Sequence, residues 1–171
     1  DVYCKTLVME SGARLYVQGN FACKSATVDE NSLVYIGGTT TCDDGMTLNK
    51  DATLNSYGDV ICKDNVVLGE DAKINTHGNF TCLPNDDNKA VTINSNALIK
   101  VQGNFNCKKL SMLSNSNLYV AGNITCNSTD FSSGSDNQVI YCGGNAVIRN
   151  DFTANRIIKA KGTLQLNNVN I

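Results

Sequence analysis

A five-residue phrase recurs along this chain. GNFAC at Gly19–Cys23 returns as GNFTC at Gly78–Cys82, GNFNC at Gly103–Cys107 and GNITC at Gly122–Cys126. Looser copies read GTTTC at Gly38–Cys42 and GDVIC at Gly58–Cys62, and the chain opens on DVYC. The glycines that open successive copies (Gly19, Gly38, Gly58, Gly78, Gly103, Gly122, Gly144, Gly162) are 19, 20, 20, 25, 19, 22 and 18 residues apart. A period near 20 held from end to end is the signature of a solenoid, in which each repeat buries its apolar side only against its neighbours.

Within a repeat, three short segments alternate apolar and polar residues, the pattern of strands with one buried face. The first carries the GNFxC phrase and points its third and fifth letters inward, as with Phe21 and Cys23 or Phe105 and Cys107. The second supplies pairs such as Val66 and Leu68, and the third supplies triplets such as Ala97, Ile99 and Val101. Three strands per turn predict an all-β, parallel β-helix of eight to nine turns. Right-handed winding is expected because crossover connections are overwhelmingly right-handed. At ~4.8 Å per turn the rod is about 40 Å long. The whole chain, 1–171, reads as one domain, with loops expected at 83–90, where Pro84 lies, and at 127–136.

Glycine is expected at the corner for the positive φ that it adopts without steric cost. The polar letter that follows, Asn20, Thr39, Asp59, Asn79, Asn104, Asn123, Asn145 or Thr163, is expected to hydrogen-bond to the turns above and below.

Composition removes several functions. With 14 basic and 16 acidic residues the net charge is −2, which gives no electrostatic footprint for nucleic acid or an anionic membrane. No apolar run approaches the ~18 residues of a membrane span. A single His and no Trp make a sparse inventory for acid–base chemistry, and no cofactor is expected.

Seven of the eight cysteines, Cys4, Cys23, Cys42, Cys62, Cys82, Cys107 and Cys126, fall in one inward column and predict a stacked structural ladder. They read either as small buried hydrophobes or as disulfides between turns. If they pair, the sequential scheme is Cys4–Cys23, Cys42–Cys62 and Cys82–Cys107, with Cys126 reaching Cys142. Zinc needs four converging ligands, and with no CxxC and His77 alone no metal site is predicted. His77 is placed at a solvent-edge corner.

Alternation sets Tyr16, Tyr35, Tyr119 and Tyr141 on the outer face of the third sheet, with Asn55, Asn75 and Lys100 between them. Such a row can stack on sugar rings or meet a protein, and it can equally be ordinary strand tyrosine. The outward letters Ala22, Thr41, Ile61, Thr81, Asn106, Thr125 and Val147 are too mixed for a flat ice-binding face. The pairs Asp43/Asp44 and Asp86/Asp87 invite a catalytic or calcium reading, but each is a sequence-neighbour pair expected in a turn.

The GNFxC…AxLxV phrases resemble the repeats of filamentous haemagglutinin-type bacterial surface proteins and polymorphic-toxin stalks, and less closely those of bactofilins. The resemblance implies a rod that holds adhesive or toxic domains away from a cell. The expectation is therefore a non-enzymatic spacer or fibre segment, extracellular or at the cell surface. No capping helix is evident at either terminus, so its partners are the rest of a longer rod or another copy stacked end to end. The rival expectation is a carbohydrate-binding or carbohydrate-cleaving β-helix.

Overall fold

The computed structural model describes residues 1–130, 137–150, 152–153, 157–167 and 169–170. Among these every element is a β-strand and the strands pair in parallel, giving an all-β solenoid of about eight turns. Among the described residues no helix is long and apolar enough to cross a membrane.

Successive turns are in register. Phe21 lies opposite Val2 and Thr40, Phe80 opposite Val60 and Phe105, and Ile124 opposite Phe105 and Ala146. In the third segment Ile74 lies opposite Leu54 and Ile99, and Leu118 opposite Ile99 and Ile140. These inward columns form one continuous buried core, with Phe80 and Phe105 stacked at 5.0 Å and 13°. The hydroxyls that interrupt it are satisfied locally. Thr40 donates to Ser56 Oγ at 3.1 Å, Ser56 to Gly38 O at 3.0 Å and Thr76 to Gly58 O at 2.7 Å.

Three segments per turn predict three sheets, yet hydrogen bonding joins the first two segments into one. Val2–Met9, Phe21–Val28, Thr40–Leu48, Phe105–Met112 and Ile124–Asp130 run through both. The result among the described residues is an 11-stranded sheet beside an 8-stranded sheet of third segments, with a two-stranded sheet of Phe152–Thr153 and Val169–Asn170 near the end. In those five strands pairing survives the bend between the two segments, whereas Val60–Cys62 and Val66–Leu68, and Phe80–Cys82 and Val91–Ile93, are separate strands. At Gly45, φ 116, the register shifts by one, because Asp43 and Asp44 together face the single residue Lys24. The next corner is sharper and uses left-handed backbone. Gly12, Asn31, Asp51, Asp71, Asn96, Asn115 and Asn137 occupy it in successive turns, all at positive φ. In most turns the following residue closes a four-residue turn, as when Ala72 N–H donates to Gly69 O at 3.2 Å. Asn and Asp tolerate this region better than other side chains, which explains their abundance.

The 25-residue step does hold an insertion at 83–90, between Phe80–Cys82 and Val91–Ile93, with Pro84 buried beneath it. The loop expected over 127–136 starts later than its composition suggests. Asn127–Asp130 continues the strand Ile124–Asp130, with Ser128 opposite Lys109 and buried Thr129 opposite Leu110. Thr suits a strand as well as a loop, so the inward alternation of Thr129 decides. The remainder, 131–136 with Phe131, lies outside the described residues.

The GN corner has a different physical basis from the expected positive φ. None of the glycines that open the phrase adopts left-handed backbone. Their need is space. A Cβ at Gly103 would sit 2.6 Å from Asn79 Oδ1 and 2.7 Å from Gly78 O, and one at Gly122 would sit 2.6 Å from both Asn104 Oδ1 and Gly103 O. The crowding atom is the acceptor of a bond between turns. Thr39 N–H donates to Asn20 Oδ1 at 2.8 Å, Asn104 N–H to Asn79 Oδ1 at 2.9 Å, and Asn123 N–H to Asn104 Oδ1 at 2.8 Å. The series continues unbroken from Asp1 to Thr163. Amide-to-side-chain bonds accompany it at Asp59–Asn79, Asn79–Asn104 and Asn104–Asn123. At about 1 kcal/mol net per hydrogen bond, these corners fasten each turn to the next.

Candidate functional site

The first and third residues of each third segment face outward, and the third forms the column of interest. That column reads Tyr16, Tyr35, Asn55, Asn75, Lys100, Tyr119, Tyr141 and Lys159 in register. The four tyrosines therefore share a face as two pairs, Tyr16 with Tyr35 at 6.1 Å and Tyr119 with Tyr141 at 6.4 Å. Between them Asn75 Nδ2 donates to Asn55 Oδ1 at 2.9 Å.

A second outward column lies at the adjoining corner and is not singled out by the sequence pattern. It reads Tyr57, His77, Gln102, Ala121 and Gly143, each donating its N–H to the turn before. Tyr57 stands 5.4 Å from Tyr35 and stacks on His77 at 4.4 Å and 12°. Hydrogen bonding to Tyr57 pushes the Tyr35 phenol above its ordinary pKa. Further along the side chains dwindle. Gly143 admits no Cβ, because the Ala121 carbonyl oxygen occupies that space.

The step from bulky Tyr57 and His77 to small Ala121 and Gly143 opens a groove of about 520 Å³. His77 bounds one end and Tyr119 with Tyr141 the other, with Asn75, Lys100 and Gln102 along it. Exposed aromatic faces supply apolar area, the amides both donate and accept, and the ammonium donates only. Such a lining suits a hydroxyl-rich ligand of little charge. Sequence reasoning found Tyr119, Tyr141, Asn75 and Lys100, and placed His77 at its corner. It missed Tyr57 and Gln102, whose only signal is their position two residues after an outward letter.

The cysteines sit inside the opposite sheet. Cys4, Cys23, Cys42, Cys62, Cys82, Cys107 and Cys126 are register partners in that order, and Ile148 and Leu166 continue the column. All eight cysteines are free thiols in this structure. Their sulfurs do not follow the sequential scheme: Cys23 meets Cys42 at 3.2 Å and Cys107 meets Cys126 at 3.3 Å. Cys142 stands in the other sheet and donates to Gly122 O at 3.2 Å, as Thr76 donates to Gly58 O. It fills a hydroxyl position, and Cys126 turns instead to Ser128 O at 2.9 Å.

The acidic pairs are spread out. Asp43 and Asp44 lie in the strand Thr40–Leu48 just before the Gly45 bulge, not in a turn, and Asp43 pairs with Lys63 at 2.7 Å. Asp87 pairs with Lys108 at 2.9 Å, while Asp86 accepts the Asn88 N–H within the insertion. Among the described residues no three His, Cys, Asp or Glu side chains are placed to hold a metal ion. The chain matches no protein-family model, no curated protein and no solved structure.

Proposed function

We propose that this chain is a non-enzymatic structural rod, a rigid spacer or fibre segment of an extracellular or cell-surface protein. The observation that carries this reading is the unbroken series of corner bonds from Asp1 to Thr163, which ties each turn to the one before at the same point of its outline. A solenoid held only by neighbour contacts resists bending through such repetition. The likeness to stalk-forming surface proteins points the same way. A copy stacked end to end would cover Val2 and Leu164, 39% and 41% exposed at the two ends of one inward column. Small-angle scattering and negative-stain microscopy are expected to show a stiff rod, with particles that lengthen in multiples of about 40 Å as concentration rises. Rods that bend freely, or release of sugar from polysaccharide by the pure protein, would overturn the reading.

The groove on the sheet of third segments supports a second reading, carbohydrate binding. His77 and Tyr119 lie two turns apart, about 10 Å, a span that sugar rings fill while stacking at both ends. Retardation in gels carrying xylan, mannan or mixed-linkage glucan is the test. Where retardation occurs, Tyr119→Ala with Tyr141→Ala is expected to weaken it at least tenfold, and Tyr16→Ala, outside the groove, to leave it unchanged. Equal retardation by all three proteins would remove the groove from the account.

A further inference from the structure

Seven stacked thiols in one column can pair in two registers, and the side chains have already chosen between them. Cα atoms of register partners in adjacent parallel strands are ~4.8 Å apart, within the disulfide range of about 4.4–6.8 Å. Every neighbour in the column therefore satisfies the backbone criterion. The sulfurs discriminate. Cys23 and Cys107 lean toward Cys42 and Cys126. Cys62 and Cys82 are register partners left to each other between these two pairs, with their thiols donating meanwhile to the Asn65 and Asp64 carbonyls at 3.6 and 3.0 Å. Cys4 is also a register partner of Cys23, but the Cys23 sulfur is turned to Cys42. Cys4 is exposed at the end of the column and Cys142 is bound to carbonyls in the other sheet.

We propose that adjacent turns are cross-linked by three disulfides, Cys23–Cys42, Cys62–Cys82 and Cys107–Cys126, and that Cys4 and Cys142 remain thiols. Closing the Cys23–Cys42 and Cys107–Cys126 bridges brings sulfurs now 3.2 and 3.3 Å apart about 1.2 Å nearer, to the ~2.05 Å of a bond, with a small local approach of the two strands. The oxidant is a low-molecular-weight disulfide. At the first pair, the hydrogen bond from Cys42 lowers the pKa of Cys23, so Cys23 is the readier thiolate. Cys23 also borders a surface depression of about 200 Å³ lined by Tyr3, Cys4, Ala22, Lys24 and Asp43. Its thiolate attacks one sulfur of the small disulfide, an S–S bond breaks, and one small thiolate leaves. Cys42 then loses its proton and attacks the Cys23 sulfur, which forms the Cys23–Cys42 bond and expels the second small thiolate. Two protein thiols become one disulfide, and the small disulfide becomes two thiols. Cys62, Cys82, Cys107 and Cys126 are buried, so their bridges form while the chain winds.

The test is made in vitro and does not depend on the rod or groove readings. Reduced, unfolded protein is refolded with oxidised and reduced glutathione, denatured without reductant, alkylated and digested with trypsin. Two of the eight cysteines are expected to be alkylated, since three bridges consume six. Cleavage after Lys and Arg places the partners in separate peptides, so 15–24 should be joined to 25–50, 51–63 to 74–89 and 101–108 to 110–149. Cys42→Ala should expose one further thiol, in peptide 15–24, and leave the other two bridges intact. Eight alkylated cysteines, or peptide 1–5 joined to 15–24 with 25–50 joined to 51–63, would overturn the proposal. The wild-type map decides even where the variant does not fold.

Discussion

Replacing Gly103 by Ala is expected to cost about 3 kcal/mol, at the upper end of what an overpacked site loses, although the change adds one methyl at the surface. The new Cβ meets Asn79 Oδ1 at 2.6 Å and the Gly78 carbonyl at 2.7 Å. The side chain can rotate away only by giving up the Asn104 N–H, and the backbone can recede only by lengthening the strand pairing between Phe80–Cys82 and Phe105–Met112. Gly12 makes the contrast. Nothing lies within 4 Å of a Cβ there, and the demand is for φ of +74°. Gly12→Asn is accordingly expected to change stability by less than about 1 kcal/mol, because Asn31, Asn96 and Asn115 occupy the same corner in other turns. Urea unfolding of the three proteins checks both values. A Gly103→Ala loss no greater than that of Gly12→Asn would mean that the corner has room.

Truncation of Phe105 to Ala is expected to be as damaging or more so, at about 3–5 kcal/mol. Phe105 is fully buried, stacks on Phe80 at 5.0 Å and sits at the middle of the solenoid, where turns press on it from both sides. The cavity cannot collapse from the side, because its walls are strands held at fixed spacing by their own hydrogen bonds. Leu164→Ala, in the same column but 41% exposed, should cost much less. Differential scanning calorimetry would read both, and equal losses would show that the column is not packed as a continuous core.

The fold was legible because a solenoid writes its geometry as a period. Spacing of the GNFxC phrases predicts which residues stack, and the registers Phe80 on Phe105 and Tyr119 on Tyr141 follow from counting. Counting says nothing about which neighbour a side chain leans toward. Cys42 has a cysteine on either side in the column, and only rotamers set by packing turn it to Cys23. Nor does it give the reason for a glycine. Gly12 and Gly103 are the same letter, yet one relieves backbone torsion and the other makes way for a carboxamide on the turn beneath. The groove escaped for a related cause. It is made by what Ala121 and Gly143 lack, and a missing side chain leaves no mark in an apolar–polar pattern.

The corner bonds also run one way. Each turn receives on its carboxyl-ward side, through an oxygen such as Asn104 Oδ1, and gives on its amino-ward side, through an N–H such as that of Asn104 itself. Any two lengths of this solenoid brought together are thus chemically unlike at the surfaces that meet: donor facing acceptor in one orientation, like facing like in the reverse. Were such lengths to join, the joining would be vectorial, and a strand of many units would carry a single polarity from one tip to the other.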